Sequence, residues 1–402
     1  MKRGSRWFPL FLASITALTS LSIDMSLPAV PSLEHEFGVP AGHGGLTLSL
    51  FLAGYAVTPL AGGPLADRFG RRAVLLASLA CFALCSLGCA GASAFGWLLV
   101  FRVLQGCASG VAVALPLAIV RDLFTGAEAR EQLAQVTTIN GIMPLVAPIL
   151  GSWVMLLGNW RWIFLSQGVF AVAVMLTVAL GFGESLPAEY RQGLHPAHLA
   201  RNYLRIFSDR GFIAHALVYA LNFACIFSFI SASPLILMQQ MHVSRSLYTW
   251  LFALTVTGTI TGSLASTTLN RRAYPTTRLL RSGLVLMTLG CFVAAALQVA
   301  GFHRPVALLP CIAVVLFCFG LTSPALTLEA LETLPELAGS GSGAMRSLQM
   351  LVGSAGSSLL ALVCALPRVN AAVAATLSMA ACVSLSLVLY LLLGRGALRN
   401  GQ

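Results

Sequence analysis

The sequence predicts an all-α integral membrane protein with twelve transmembrane helices in two six-helix halves. Of its 402 residues 57% are hydrophobic and only 9% are charged, where a soluble protein carries about 25% charged residues. The mean hydropathy is +0.86. The apolar residues gather into twelve stretches, each near the twenty or so residues that cross a bilayer as a helix. The longest polar segment divides these stretches six and six. Backbone polar groups in lipid must be satisfied within the chain, so each stretch is expected to be helical.

The first stretch, 8–30, runs past Asp24 and lacks a small-x-small cleavage site, so it is expected to be retained as a span. Spans follow at 44–65, 73–92, 96–120, 131–156 and 160–182, giving an amino-terminal six-helix bundle over 1–182. Residues 183–210 hold Glu184, Pro187, Glu189, Pro196 and four arginines, and are expected to form a cytosolic linker. Within it, 201–209 suits a short amphipathic helix with Tyr203, Leu204, Ile206 and Phe207 toward lipid or protein. Spans at 211–233, 246–268, 277–300, 305–327, 341–365 and 368–394 make a carboxy-terminal six-helix bundle over 211–394, followed by a cytosolic tail at 395–402.

The net charge of +11 is distributed by topology. With the amino terminus inside, eighteen basic residues fall in cytosolic segments, from Lys2, Arg3 and Arg6 through Arg191 to Arg399. Only Arg161, Arg245, Arg304 and Arg368 fall outside. This positive-inside bias places both termini in the cytosol and accounts for the basic balance without nucleic acid as a partner. Arg102 and Arg346 fall inside spans.

The ten cysteines lie in apolar stretches, with no Cys-x-x-Cys, and Cys81, Cys85 and Cys89 share a helix face as small packing residues. No metal set, cofactor motif or nucleophile–base pair is present, which argues against an enzyme. The single lysine, Lys2, and the absence of a phosphate loop exclude nucleotide-driven transport.

Gly63-Pro64-Leu65-Ala66-Asp67-Arg68-Phe69-Gly70-Arg71-Arg72 lies between the second and third spans. It reads as a charged hairpin in which Gly63 and Pro64 close one span and Gly70 turns the chain. The segment resembles the signature loop of the major facilitator superfamily of transporters. Four further segments narrow the resemblance: Leu21 to Pro31 at the end of span one, Phe101 to Gly106 in span four, Pro144 to Trp153 in span five, and Glu184 to Pro187 after span six. In this order they resemble the Bcr/CflA branch of drug:proton antiporters. The span-five antiporter motif is carried by Pro144, Pro148 and Gly151, but Ala147 and Ser152 stand where that motif usually has glycine. Asn270 to Pro275 mirrors the signature loop in the second half without a counterpart of Asp67.

Ionisable residues at membrane depth are functional hypotheses by default. Asp24 lies about six residues before the outer end of span one, and Arg102 about six residues after the outer start of span four. The two are thus expected at similar depth. Thr16, Ser20 and Asp24 make one polar stripe, and Arg102, Gln105, Gly106 and Ser109 another. Either Asp24 gains and loses a proton with Arg102 in support, the role the resemblance implies, or the two form a static buried ion pair. A substrate cavity adds Tyr55, Asn140, Met143, Asn222, Phe223 and Phe227 to Asp24 and Arg102. The resemblance implies a conformational latch of Gly63, Asp67, Arg68, Gly70, Arg71, Arg72 and Asp122, with Asp67 near a helix amino terminus. Glu329, Glu332 and Glu336 form an acidic cluster that either pairs with basic inner loops or is a solvated helix end. Arg346 is read as a snorkelling residue at the inner start of span eleven.

The expected function is proton-coupled export of small amphipathic compounds by a monomer in the bacterial inner membrane. The partners are a small-molecule substrate, protons and the lipid bilayer. Export of an endogenous metabolite, uptake, and a non-transporting sensor are the alternatives.

Overall fold

The computed structural model describes residues 7–187, 189, 196–366 and 368–400. Lys2, Arg3, Arg6 and Arg191, which the topology argument used, lie outside the described residues. All regular structure among the described residues is helical. Contacts divide the chain into two compact units, Met1–Val39 with Leu50–Pro196, and Pro40–Ser49 with Ala197–Gln402.

The first unit begins with α1 (Phe8–Asp24) and continues through a 3-10 turn, Leu27–Ala29, into α2 (Val30–Phe37). Proline explains the break. Pro28 has no N–H to give the Asp24 carbonyl four residues back, so the α-helix stops there. The expected span ended at residue 30 with Asp24 inside it. Instead Asp24 is the last residue of α1, and the apolar segment runs to Phe37.

The second expected span is a bent pair, α3 (Gly45–Val57) and α4 (Pro59–Phe69), with 47° between them. Pro59 removes the N–H that the Tyr55 carbonyl would accept. The Thr58 hydroxyl fills that place at 3.1 Å. Contrary to the sequence reading, Gly63 and Pro64 do not close this span. Both lie inside α4, and the whole turn is Gly70, whose φ of 92° suits glycine. The unit then runs through α5 (Arg71–Ala90), α6 (Phe95–Leu123), α7 (Gly126–Val154) and α8 (Arg161–Gly181). Its buried core includes Leu21, Met25, Ala29, Leu98, Ala147, Trp160 and Phe164.

Apart from Pro40–Ser49, the second unit runs from α9 (Pro196–Ser208), an amphipathic helix over the expected segment. Ile206 is buried, while Leu204 and Phe207 are exposed. Then come α10 (Arg210–Ser233), continued by a π-helical stretch Pro234–Gln240, and α11 (Arg245–Arg271). They are followed by α12 (Thr276–Val299), α13 (Pro305–Glu332), α14 (Ala338–Cys364) and α15 (Ala371–Asn400).

Ten helical segments among the described residues are long and apolar enough to cross a bilayer, eleven with the bent pair. The remaining expected span, 246–268, is α11. At 27 residues it is long enough, but its threonines and serines dilute its hydropathy. Among the described residues the chain is thus an all-α protein whose helices suit a bilayer.

Candidate functional site

Arg102 is fully buried on α6, and its contacts explain how the interior of the first unit tolerates it. Its guanidinium donates to Gln105 Oε1 at 2.7 Å and to the Ser22 carbonyl at 3.0 Å. It also lies over the Phe51 ring at 4.7 Å and the Phe164 ring at 5.6 Å. Gln105 in turn donates to the Ser86 hydroxyl and to Gln167 Oε1, and Gln167 donates to the Leu21 carbonyl at 3.1 Å. Leu21 and Ser22 occupy the last turn of α1, where carbonyls lose their helical partners. Arg102, Gln167 and the Ser26 hydroxyl, which bonds the Ser22 and Ile23 carbonyls, therefore cap the break. A cation at a helix carboxyl end is also favoured by the helix dipole.

Asp24 is different. It is 6% exposed at the end of the same helix, yet no salt bridge or hydrogen bond to its carboxyl is found among the described residues. The static Asp24–Arg102 ion pair is therefore not formed. Arg102 donates to the Ser22 carbonyl and to Gln105 instead.

Helix α7 approaches this region. Thr16 donates to Asn140 Oδ1 at 2.7 Å, and Thr19 shares a hydrogen bond with Ser109 at 2.8 Å. Both expected polar stripes thus have partners inside the unit. A Cβ on Gly151 would overlap the Met25 carbonyl oxygen, so glycine there permits close approach of α7 to the break. Pro144 and Pro148 lie inside α7, and Met143 is half-buried. Tyr55 is buried on α3.

The charged turn forms a second cluster. Arg71 donates to Asp67 at 2.7 Å and to Asp122 at 3.0 Å, and Asp122 also accepts from the Ser185 hydroxyl. Asp67 lies in the last turn of α4, not near a helix amino terminus as expected. The carboxylate that occupies that position for α5 is Glu184, which accepts from the backbone N–H of Arg71 at 2.8 Å and of Arg72 at 3.3 Å. Arg72 reaches the Ala179 carbonyl, and Arg68 lies over the Phe69 ring at 5.2 Å. All of these partners belong to the first unit. Another cluster joins Glu36 to Arg161 and to the Trp160 indole N–H.

In the second unit, Asn222 is buried on α10 and accepts from Ser386 at 2.7 Å, leaving its Nδ2 without a partner. Phe223 stacks on Phe227 at 5.5 Å and meets Phe319 at 6.4 Å. Glu336 pairs with Arg205, and Glu329 with His215. Thus two of the three acidic residues before span eleven have partners. Arg346 lies inside α14, eight residues past its start, and is exposed.

Sequence reading missed Gln167 and Ser86 as partners of Gln105, Glu184 as the cap of α5, and the Glu36 cluster. Gln167 carried a usable signal, since a glutamine amid an apolar span needs a partner. Glu184 carried none, because its target lies more than a hundred residues away in the chain.

The sequence model of the Major Facilitator Superfamily matches residues 12–357. The chain is 29% identical over 352 residues to the uncharacterized MFS-type transporter YdgK of Bacillus subtilis (strain 168), covering 87% of each chain. It is 30% identical over 241 residues to the multidrug resistance protein MdtL of Klebsiella pneumoniae (strain 342), covering 60% of this chain and 61% of that protein. Among solved structures, the human organic anion transporter MFSD10 matches with a TM-score of 0.70 at 20% identity, over 97% of this chain and all of that one (100%). A D-xylose-proton symporter matches with a TM-score of 0.73 at 14% identity, over 96% and 97%.

Proposed function

The chain belongs to the Major Facilitator Superfamily and is a transporter rather than an enzyme; from that premise we propose that it exports small amphipathic compounds in exchange for protons. The observation that carries this reading is Asp24, a buried acidic side chain with no salt bridge among the described residues, near an arginine that donates to the Ser22 carbonyl and to Gln105. An ionised carboxylate in such a place is costly. The side chain is thus suited to hold a proton, and to release it when a substrate group or a change of access compensates the charge. Similarity to multidrug resistance proteins supports export of drug-like compounds, and the Asp24, Pro148 and Glu184 segments support the Bcr/CflA type.

The working cycle follows from these parts. A proton entering down its gradient neutralises Asp24. Arg102 holds the break of α1 in shape and positions Asp24 without exchanging protons. Within the first unit Tyr55, Asn140 and Met143, and within the second Asn222, Phe223 and Phe227, are the side chains suited to meet substrate. The Arg71 cluster, including Asp67, Arg72 and Asp122, stiffens α4, α5 and α6 as one body during alternating access. One charge moving through 100 mV supplies about 2.3 kcal/mol, to which a pH gradient adds. The protein acts as a monomer in the bacterial inner membrane with both termini in the cytosol.

A susceptibility panel in a pump-deficient host tests the reading, with wild type, Asp24→Asn and a protonophore control. Protection by wild type that both other arms abolish is expected, and it names the substrates. Protection that survives the protonophore contradicts proton coupling.

A further inference from the structure

His215 and Glu329, both in the second unit, take no part in the function proposed above. His215 Nδ1 lies 2.9 Å from the Gly211 carbonyl oxygen, and His215 Nε2 lies 3.0 Å from Glu329 Oε2. A carbonyl can only accept, so Nδ1 carries its hydrogen. A neutral imidazole with that hydrogen has a bare lone pair on Nε2. The lone pair faces a carboxylate, which when ionised also has nothing to donate. The contact closes only with one more proton, held as imidazolium with carboxylate or as imidazole with carboxylic acid. Removing that proton sets two acceptors against each other at hydrogen-bond distance. The two side chains are 17% and 25% exposed, so solvent protons reach them while water screens the repulsion only in part.

The surroundings do not supply a substitute. Tyr390 on α15 is a titratable group within electrostatic reach of Glu329. The basic residues on helices packed against α10 and α13 are Arg245 and Arg271 at the two ends of α11, Arg278 and Arg281 on α12, Arg346 on α14, and Arg395 and Arg399 in the sequence of α15. Glu332 is exposed, Glu336 pairs with Arg205, and Asp209 caps α10 by accepting from the Phe212 N–H. Among the described residues, His215 is the side chain paired with Glu329.

We propose that His215 and Glu329 form a second proton-binding site that takes up one proton as a unit and thereby joins the start of α10 to the end of α13. In the proposed orientation these helix ends face the cytosol, where an inward-moving proton is discharged. This place in the cycle rests on the proton-coupled reading above; the one-proton pair itself does not.

The test uses the full-length protein in lipid nanodiscs and in proteoliposomes. Nitrogen-15 histidine spectra are compared between wild type and Glu329→Gln, with His215→Gln to assign the resonance. The wild-type resonance is expected to show a hydrogen-bonded proton shared with Nε2 that is lost on alkalinisation. In Glu329→Gln the carboxamide donates to a bare Nε2, so the resonance is expected to be that of a neutral ring across the same range. In proteoliposomes, wild-type exchange is expected to fall on its alkaline limb by up to about tenfold per pH unit. Both glutamine variants are expected to flatten that limb while remaining monodisperse. A wild-type Nε2 that shows neither a bonded nor a shared proton at any pH overturns the site. An unchanged limb in both variants, with gradient-driven exchange intact, overturns its role in transport. Wild-type exchange that ignores the gradient removes the coupling reading instead, and the resonance then decides the site alone.

Discussion

In the first unit, a Cβ on Gly106 would overlap the Phe51 carbonyl oxygen, and one on Gly54 the Val103 carbonyl. In the second, Gly262 and Gly320 stand in the same relation to the Phe317 and Thr259 carbonyls. Both units thus bring two helices, α3 with α6 and α11 with α13, to backbone contact by the same glycine device. Their polar interiors differ. The first unit buries Asp24 and the Arg102–Gln105–Gln167 network; the second buries the neutral Asn222–Ser386 pair and carries stacked phenylalanines. The charged turns differ too. Arg71 is held by two carboxylates, whereas Arg271 in the mirrored turn is exposed and has no salt bridge among the described residues. Packing is repeated between the units, and among the described residues the buried charged side chains, Asp24, Glu34, Arg71 and Arg102, all lie in the first.

The strongest way to break the comparison is at the shared device. Gly106→Val and Gly262→Val each drive side-chain atoms into backbone, at or above the ~3 kcal/mol upper range for overpacking. Both variants are expected to lose the monodisperse peak on size-exclusion chromatography. If only one does, the two helix contacts are not equivalent.

The buried polar groups should separate the units. Arg102→Met leaves the Ser22 carbonyl and Gln105 Oε1 without that partner, at about 1–3 kcal/mol each. Asn222→Leu removes one accepted hydrogen bond and a donor already unpaired, and is expected to cost about 1 kcal/mol or less. Thermal unfolding in one detergent compares them directly. A larger loss for Asn222→Leu would reverse the assignment of the polar framework to the first unit.

The turns give the smallest expected difference. Arg71→Ala strands Asp122 against Ser185 alone and should cost about 1–2 kcal/mol. Arg271→Ala should stay within about 0.5 kcal/mol. Equal melting shifts would mean that the Arg71 cluster contributes little to the first unit's stability.

Much of this framework was legible in sequence because the signals were local. Hydropathy marks each span, and Gly70 marks the turn by its backbone freedom. The helix ends were misjudged where proline acted four residues away: Pro28 on the Asp24 carbonyl ended α1 early, while Pro64 lay inside α4 without stopping it. The partners of Arg102 were not legible. Which carbonyl or amide meets a guanidinium is fixed by packing α1, α5, α6 and α8 together, and nothing in the spacing of Ser22, Ser86, Gln105 and Gln167 encodes it. Asp24 was found by its rarity, a carboxylate in an apolar span, but its lack of a partner required the structure.

The central claim is that Asp24 carries the transported proton while Arg102 only shapes its surroundings. Substrate-induced proton release from purified protein tests it most directly, with Asp24→Asn and Arg102→Lys beside wild type. Release from wild type, a reduced but present release from Arg102→Lys, and none from a folded, substrate-binding Asp24→Asn are expected. Undiminished release from Asp24→Asn would contradict the claim and move proton coupling elsewhere in the molecule.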